Sequence, residues 1–224
     1  MNVNSKIEYH LGELKTARDH DSPLRAMPTF SESDRNILDI GCGIGQTIVA
    51  SNLGNGRLLV GLDPDFDCLR YGKSQYDYIS YIRGTGEALP FQSNTFDMVI
   101  SRVSLPYTNI PVCLLEIQRV LHEGGKVWLL LHPFSMALSD LRKAIRRHEI
   151  RKIILQLYVI ANGACFHVFG RVFPFPLFNK YDSFQSISGI RRAMTKAGFK
   201  NIAAHVVIKE ETHFFVTAQK SAVR

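Results

Sequence analysis

From residue 36 onward, short apolar runs alternate with stretches whose apolar positions recur every three to four residues. The first run, Asn36-Ile37-Leu38-Asp39-Ile40, is too short for a helix and ends in glycine. Continuous runs of this kind read as parallel strands buried on both faces. The rhythm then repeats. Gln46–Leu53 predicts a helix stopped by Gly54-Asn55-Gly56, and Arg57–Leu62 a second strand closing at Asp63-Pro64. A helix with proline in its first turn runs to about Gln75, followed by strands at Ile79–Arg83 and Phe96–Ser101. A helix over Pro111–Leu121, ended by Gly124-Gly125, leads to a fifth strand at Lys126–Leu131. Strand and helix in alternation imply a parallel sheet with right-handed crossovers. Beyond residue 184 the pattern predicts a helix over Phe184–Ala197, ended by Gly198, and two β-rich runs, Ile202–Lys209 and His213–Gln219. So few residues separate these runs that they form a hairpin, and one of them runs against the rest of the sheet.

Two regions break the rhythm. Residues 1–35 are polar and irregular, with Asp21-Ser22-Pro23 as punctuation, and read as a short helix and a loop capping the core. Residues 133–183 open with a basic segment from Arg142 to Lys152, read as a helix. They continue with an apolar helix over Ile153–Ala161 and a Gly/Phe/Pro-rich stretch from Gly163 to Phe178. The expected organisation is an amino-terminal cap (1–35), a core (36–132 and 184–224), and a substrate-side insertion (133–183).

Composition narrows the class. An apolar share of 46% with mixed charge belongs to a chain that buries a core, not to a disordered one. No uninterrupted apolar stretch has the length of a membrane span, and the amino-terminal residues lack an apolar leader, so a cytoplasmic protein is expected. Cys42, Cys68, Cys113 and Cys165 form no CxxC pair, which argues against zinc and against a disulfide scaffold. The net charge of +7 favours anionic partners, and much of it lies between Arg142 and Lys152. That segment is a candidate contact for an anionic membrane surface or for nucleic acid, or it is a solvated helix face.

The chemistry concentrates in Asp39-Ile40-Gly41-Cys42-Gly43-Ile44-Gly45. A dinucleotide loop has the spacing G-x-G-x-x-G and offers a helix N-terminus to a pyrophosphate. In this chain the third glycine comes one residue early, and Gln46 stands where the dinucleotide pattern has its last Gly or Ala. The preceding acid would repel a pyrophosphate but pairs, directly or through water, with an ammonium group. Asp63 closes the second strand eighteen residues beyond Gly45, where a carboxylate can accept bonds from both hydroxyls of a ribose.

Asp39 to Gly45, Asp63, Gly84-Thr85-Gly86-Glu87-Ala88-Leu89-Pro90-Phe91, Phe96-Asp97-Met98-Val99-Ile100-Ser101 and Glu116 to Gly125 follow one another in order. As a set they resemble class I S-adenosylmethionine-dependent methyltransferases, particularly the branch of the ubiquinone/menaquinone-biosynthesis methylases. The resemblance covers residues 36–132 well and the last forty loosely. It implies a Rossmann-like, seven-stranded, mostly parallel sheet with one antiparallel strand, helices on both faces, and a helical, aromatic cap inserted between strands 5 and 6. It further implies that Asp39, Gly41, Gly43 and Gly45 form the cofactor loop, that Asp63 holds the ribose and that Pro64 packs on the adenine. Ser101 and Arg102 would line the sulfonium side. Where the family commonly has Asp-Ala before the Glu, this chain has Thr85-Gly86. The Thr85 hydroxyl and the backbone of Gly86 and Glu87 remain to meet the adenine, while the usual contact to its amino group is in doubt.

Methyl transfer from a sulfonium is an in-line displacement with a neutral leaving group, so alignment and exclusion of water matter more than a base. Tyr107 and His132 are the catalytic candidates, both just after strand ends. Tyr107 lies in Ser104-Leu105-Pro106-Tyr107, similar to the Asn-Pro-Pro-Tyr motif of amide- and adenine-nitrogen methyltransferases but with Leu for the first Pro and a later start. Tyr9 and His10, with Tyr107 and His132, are candidates for the substrate side. The reading expected is a methyltransferase acting on a small, apolar or aromatic acceptor. A nucleic-acid methyltransferase using the basic helix, and a cofactor-binding regulator without turnover, are the alternatives. Gln46 disfavours a nicotinamide oxidoreductase.

Overall fold

The computed structural model describes residues 3–22, 25–54, 56–206 and 213–221. Pro23, Asn55 and the last three positions of the expected strand Ile202–Lys209 lie outside these residues. Seven strands form one sheet: β1 (Asn36–Ile40), β2 (Leu58–Asp63), β3 (Ser80–Arg83), β4 (Phe96–Arg102), β5 (Leu121–Leu131), β6 (Phe199–Val206) and β7 (Phe214–Lys220). Their spatial order is β3-β2-β1-β4-β5-β7-β6. β7 pairs antiparallel with both β5 and β6, while the pairs from β3 to β5 are parallel. The α/β fold expected from the sequence, with one reversed strand, is the fold observed.

The helices are α1 (Val3–Arg18), α2 (Gln46–Ser51), α3 (Phe66–Gln75), α4 (Ile110–Val120), α5 (Phe134–Arg146), α6 (Ile150–Phe169) and α7 (Ile187–Lys196). Period-two alternation sends successive strand residues to opposite faces. Leu38, Ile40, Val99, Leu129 and Leu131 pack under α4 and α7, whereas Ile37, Met98, Ile100, Trp128 and Leu130 pack beside α1 and α2. Burial on both faces explains why the central strands read as unbroken apolar runs.

Several boundaries differ from the sequence reading, each for a local reason. Helix α3 starts at Phe66 because Asp65 caps it, accepting from the Asp67 and Cys68 N–H groups; Pro64 therefore precedes the cap. The Gly124-Gly125 pair does not end α4. The chain turns extended at Leu121, and the glycines sit in an irregularity of β5 where the register on β4 shifts between Phe96 and Met98. Helix α7 begins at Ile187, since the Ser186 hydroxyl caps it at the Gly189 N–H. Phe184 instead packs with Ala137 and Val159.

The insertion departs most. The basic stretch from Arg142 to Lys152 is not one helix. It ends α5, turns through His148 at φ 55°, and begins α6, with the Glu149 N–H donating to the Ala144 carbonyl. Helix α6 runs on through Gly163, which lies against the Phe184 ring, to Gly170 at φ 67°. Its twenty residues are long and apolar enough, by length and mean hydropathy, to cross a membrane. Arg151, Lys152, Gln156 and Asn162 punctuate the helix, so the sequence shows no uninterrupted apolar run there.

Candidate functional site

At the carboxyl ends of β1, β2 and β4 the chain encloses a cavity of about 580 Å³. Its floor is Ile40, Gly41, Leu62 and Asp63; Gly84 to Glu87 form one side, and Arg102 to Ser104 another. Tyr9, His10 and Glu13 of α1 and Asn179 to Tyr181 of the insertion complete the wall.

The glycine loop is shaped by the protein around it. Gly41, Gly43 and Gly45 have φ of 74°, 54° and 86°, a region that strongly favours glycine. A Cβ on Gly41 would stand 2.2 Å from that of Ser104, one on Gly43 2.4 Å from the His10 ring, and one on Gly45 2.4 Å from the Tyr81 hydroxyl. Of the three, only Gly41 lines the cavity. The other two let α1 and β3 pack closely against the loop.

Helix α1 is fastened over this loop by side chains at positions 6, 10 and 13, which share one helical face. Lys6 donates to Asp65 at 2.5 Å, His10 Nδ1 lies 3.1 Å from the Gln46 amide, and Glu13 pairs with Arg102. Burial holds His10 below its ordinary pKa, so the ring is neutral near pH 7.

The acids are the centre of the electrostatics. Asp63 accepts from the Gly43 N–H at 2.9 Å and the Asp65 N–H at 2.8 Å, and it faces the cavity. Burial raises its pKa against the pull of those two donors. Asp39 is 1% exposed, and neither carboxylate oxygen has a hydrogen-bond partner among the described residues. Burial first, and the neighbouring Asp63 second, push it up to about 8, against the opposing pull of Arg102 and of the Thr47 hydroxyl, which approaches it without a well-formed hydrogen bond. Asp39 does not line the cavity; it lies one residue behind Ile40. An unpartnered buried carboxyl is a costly arrangement. A positive ligand above the floor relieves it, whereas a phosphate would worsen it. The residues present thus fit the sulfonium and ammonium of S-adenosylmethionine, and Asp63 faces the cavity.

Of the residues expected to meet an adenine, Thr85, Gly86, Glu87 and Pro64 all line the cavity. Glu87 is turned to structure, its carboxylate accepting from the Asn109 N–H at 2.8 Å. Gly86 backs onto Cys113 Sγ, which a Cβ would meet at 2.6 Å. Ser101 is fully buried outside the cavity, 2.6 Å from the Ser104 hydroxyl, which in turn donates to the Ile40 carbonyl.

A second cavity of about 260 Å³ lies alongside, sharing Tyr9, Glu13, Arg102, Val103 and Tyr107 with the first. Leu130, His132, Met136 and His213 line it too. Tyr107 borders both, and His132 borders only the smaller of these two. Their rings meet edge to face with centroids 5.7 Å apart, and the His213 ring lies 5.4 Å from that of His132. Burial and His213 push His132 down to about 4, leaving it an uncharged imidazole at neutral pH. Burial also holds the Tyr107 phenol above its ordinary range.

Sequence reasoning missed several wall residues. Glu13 could have been found from helical spacing after His10. His213 follows from register, since Phe214 pairs with Leu131 and so sets His213 opposite His132. Val103 gave no signal. It holds φ 55°, an uncommon conformation for a β-branched residue, at the partition between the two cavities.

The sheet is doubly wound, and the cavity at its first crossover is lined by Asp63, with Asp39 buried behind it. Residues 38–129 match the family model described as a methyltransferase domain. The chain is 37% identical over 119 residues to the 2-phytyl-1,4-naphtoquinone methyltransferase of Synechocystis, spanning 49% of this chain and 50% of that protein. It is 32% identical over 114 residues to the ubiquinone/menaquinone biosynthesis C-methyltransferase UbiE of Blochmanniella floridana, 47% of this chain and 44% of that one. The chain thus spans about half the length of the curated relatives it matches. Two solved structures share the fold. The CurJ carbon methyltransferase is 16% identical with a TM-score of 0.61, over 87% of this chain and 50% of that one. The YcgJ protein of Bacillus subtilis is 15% identical with a TM-score of 0.55, over 96% and 100%. Residues 38–129 are thus similar to S-adenosylmethionine-dependent methyltransferases, quinone methylases among them, which agrees with the resemblance carried by the motifs.

Proposed function

We propose that the protein transfers a methyl group from S-adenosylmethionine to a small apolar or aromatic acceptor. The observation that carries this reading is the pair of adjoining cavities, one floored by Gly41 and Asp63, the other walled by Leu130, Met136 and aromatic rings. S-adenosylmethionine, when bound, supplies an electrophilic methyl on a sulfonium. The chain's own residues do the rest. Asp63 presents free lone pairs to a ribose, and a cation bound above the floor would draw the buried Asp39 carboxyl toward its ionised form. Gly84 to Glu87 flank the base. Arg102, held by Glu13, and Val103 form the partition across which donor and acceptor would meet. Tyr107 and His132 orient the acceptor. With its pKa near 4, His132 accepts a hydrogen bond without competing protonation. The relatives named for naphthoquinone and menaquinone substrates favour a ring-bearing acceptor.

The test is methyl transfer from tritiated S-adenosylmethionine into a cell extract, with products separated into organic-soluble, nucleic-acid and water-soluble fractions. Label is expected in the organic-soluble fraction, and Asp63→Ala should abolish it. Label confined to nucleic acid would overturn the acceptor class. Calorimetry showing unchanged donor affinity in both Asp63→Ala and Asp39→Ala would overturn the donor site.

A further inference from the structure

The insertion carries a surface that the methyl-transfer site does not use. Along α6 the positions Ile150, Ile154, Leu157, Ala161, Ala164 and Val168 recur at alternating steps of four and three, and all six are exposed. Such spacing makes one straight stripe, about 27 Å long at 1.5 Å per residue. The opposite face of the helix is the one spent on the fold: Val159, Asn162, Gly163 and Phe166 are buried there. Asn162 ties this face down by donating to the Asp182 carbonyl at 2.9 Å and accepting from the Phe173 N–H at 2.8 Å.

The apolar surface continues past the helix end. Phe169 is 73% exposed, and the turn closed by the Phe175–Lys180 bridge holds Leu177 at 78% and Phe178 at 67%. The same turn brings Asn179 and Lys180 to the larger cavity, so this surface adjoins the cavity wall. An apolar patch of this extent, rimmed by charge, marks an interaction site.

Charge selects the partner. Residues 133–183 hold eight of the chain's Lys and Arg against three acids, which accounts for most of its +7. Asp140 and Glu149 are already paired with Lys143 and Lys152, and Asp182 is turned inward. Arg142, Arg146, Arg147 and Arg151 form no ion pair among the described residues, and they gather at the amino-terminal end of the stripe. A second copy of this surface would offer arginines with no acids to meet them. A nucleic acid would satisfy the arginines but not the isoleucine, leucine and phenylalanine side chains between and beyond them. A sheet of anionic lipid satisfies both.

We propose that the insertion is a membrane-docking module: α6 lies in the plane of an anionic lipid surface with its Ile150–Val168 stripe and the Leu177-Phe178 tip in the acyl boundary and the arginines at the headgroups. In-plane binding is the orientation that keeps the fold, because Val159, Asn162, Gly163 and Phe166 on the opposite face of α6 are buried against the protein. This inference stands apart from the identity of the acceptor.

The test is flotation of the purified full chain with vesicles of phosphatidylcholine alone or mixed with phosphatidylglycerol, at low and high salt. Binding to the mixed vesicles, weakened by salt, is expected. Ile154→Glu with Leu157→Glu should abolish it, while thermal stability and calorimetric S-adenosylmethionine affinity stay unchanged, because both side chains are exposed. Arg146→Ala with Arg147→Ala should weaken it roughly tenfold or more, each basic residue near an anionic surface being worth about a factor of five. The proposal is overturned by absence of binding to the mixed vesicles or by unchanged binding of the double Glu variant. Salt-sensitive binding to RNA or duplex DNA without vesicle binding would overturn it, as would a solution dimer dispersed by the double Glu variant without vesicle binding.

Discussion

Asp39→Asn is the sharpest probe of the donor site, because it should stabilise the empty protein while disabling it. The Asp39 carboxyl is pushed from its ordinary 3.8 up to about 8 in the folded chain. Between those values the unfolded chain is ionised and the folded chain holds its proton, so the folded state binds more protons and loses stability as pH rises through the window. At pH 7 the displacement corresponds to roughly 4 kcal/mol, and relaxation around a fully buried group reduces the effective cost to about 2 kcal/mol. Asparagine keeps the shape and removes the titration. Its melting temperature at pH 8 should exceed that of the parent by about 4–8 °C, and the gap should close toward pH 4. S-adenosylmethionine should raise the melting temperature of the parent and leave Asp39→Asn unmoved, since only a ligand that binds the folded state stabilises it. Thermal unfolding followed by circular dichroism across pH, with and without the ligand, reads both effects. An Asp39→Asn variant less stable than the parent at pH 8, or equally shifted by the ligand, would refute the reasoning.

Three further outcomes follow from the same walls. Glu13→Ala leaves the buried Arg102 guanidinium without its counter-ion and should cost about 3 kcal/mol, seen as a lower urea midpoint; an unchanged midpoint would remove the pair from the account of how α1 is held. Gly43→Ala should destabilise by roughly 2 kcal/mol through its positive φ and its clash with His10, and adding His10→Ala should recover part of that loss. Strict additivity in that cycle would show that the two do not press on each other. Because His132 titrates near 4, turnover between pH 6 and 8 should show no limb removed by His132→Gln. An inflection near pH 6.5 that vanishes in this variant would show a histidine in an ordinary environment instead.

Much of the larger cavity was legible because backbone demands wrote it into residue types. A chain that must leave β1 sharply needs glycine at positive φ, and an acid at a strand end stands out against an apolar run. Even so, the reason for two of those glycines was hidden. Gly43 and Gly45 answer to His10 and Tyr81, which are distant in sequence, and no local pattern announces such contacts. The smaller cavity was harder to read, since it is assembled by register and packing. His213 reaches His132 through the pairing of β7 with β5, and the hairpin rule predicts that β6 and β7 pair, not which of them joins the sheet. In the insertion, Gly163 and the basic residues argued for breaks. Tertiary contact with Phe184 makes glycine the fitting residue inside α6.

One helix, α1, roofs both chambers: Tyr9 and Glu13 belong to the walls of each. Any swing of α1 that lets one reactant in therefore unroofs the other compartment as well. Substitutions at these two positions, Tyr9 and Glu13, are expected to alter both cavities together.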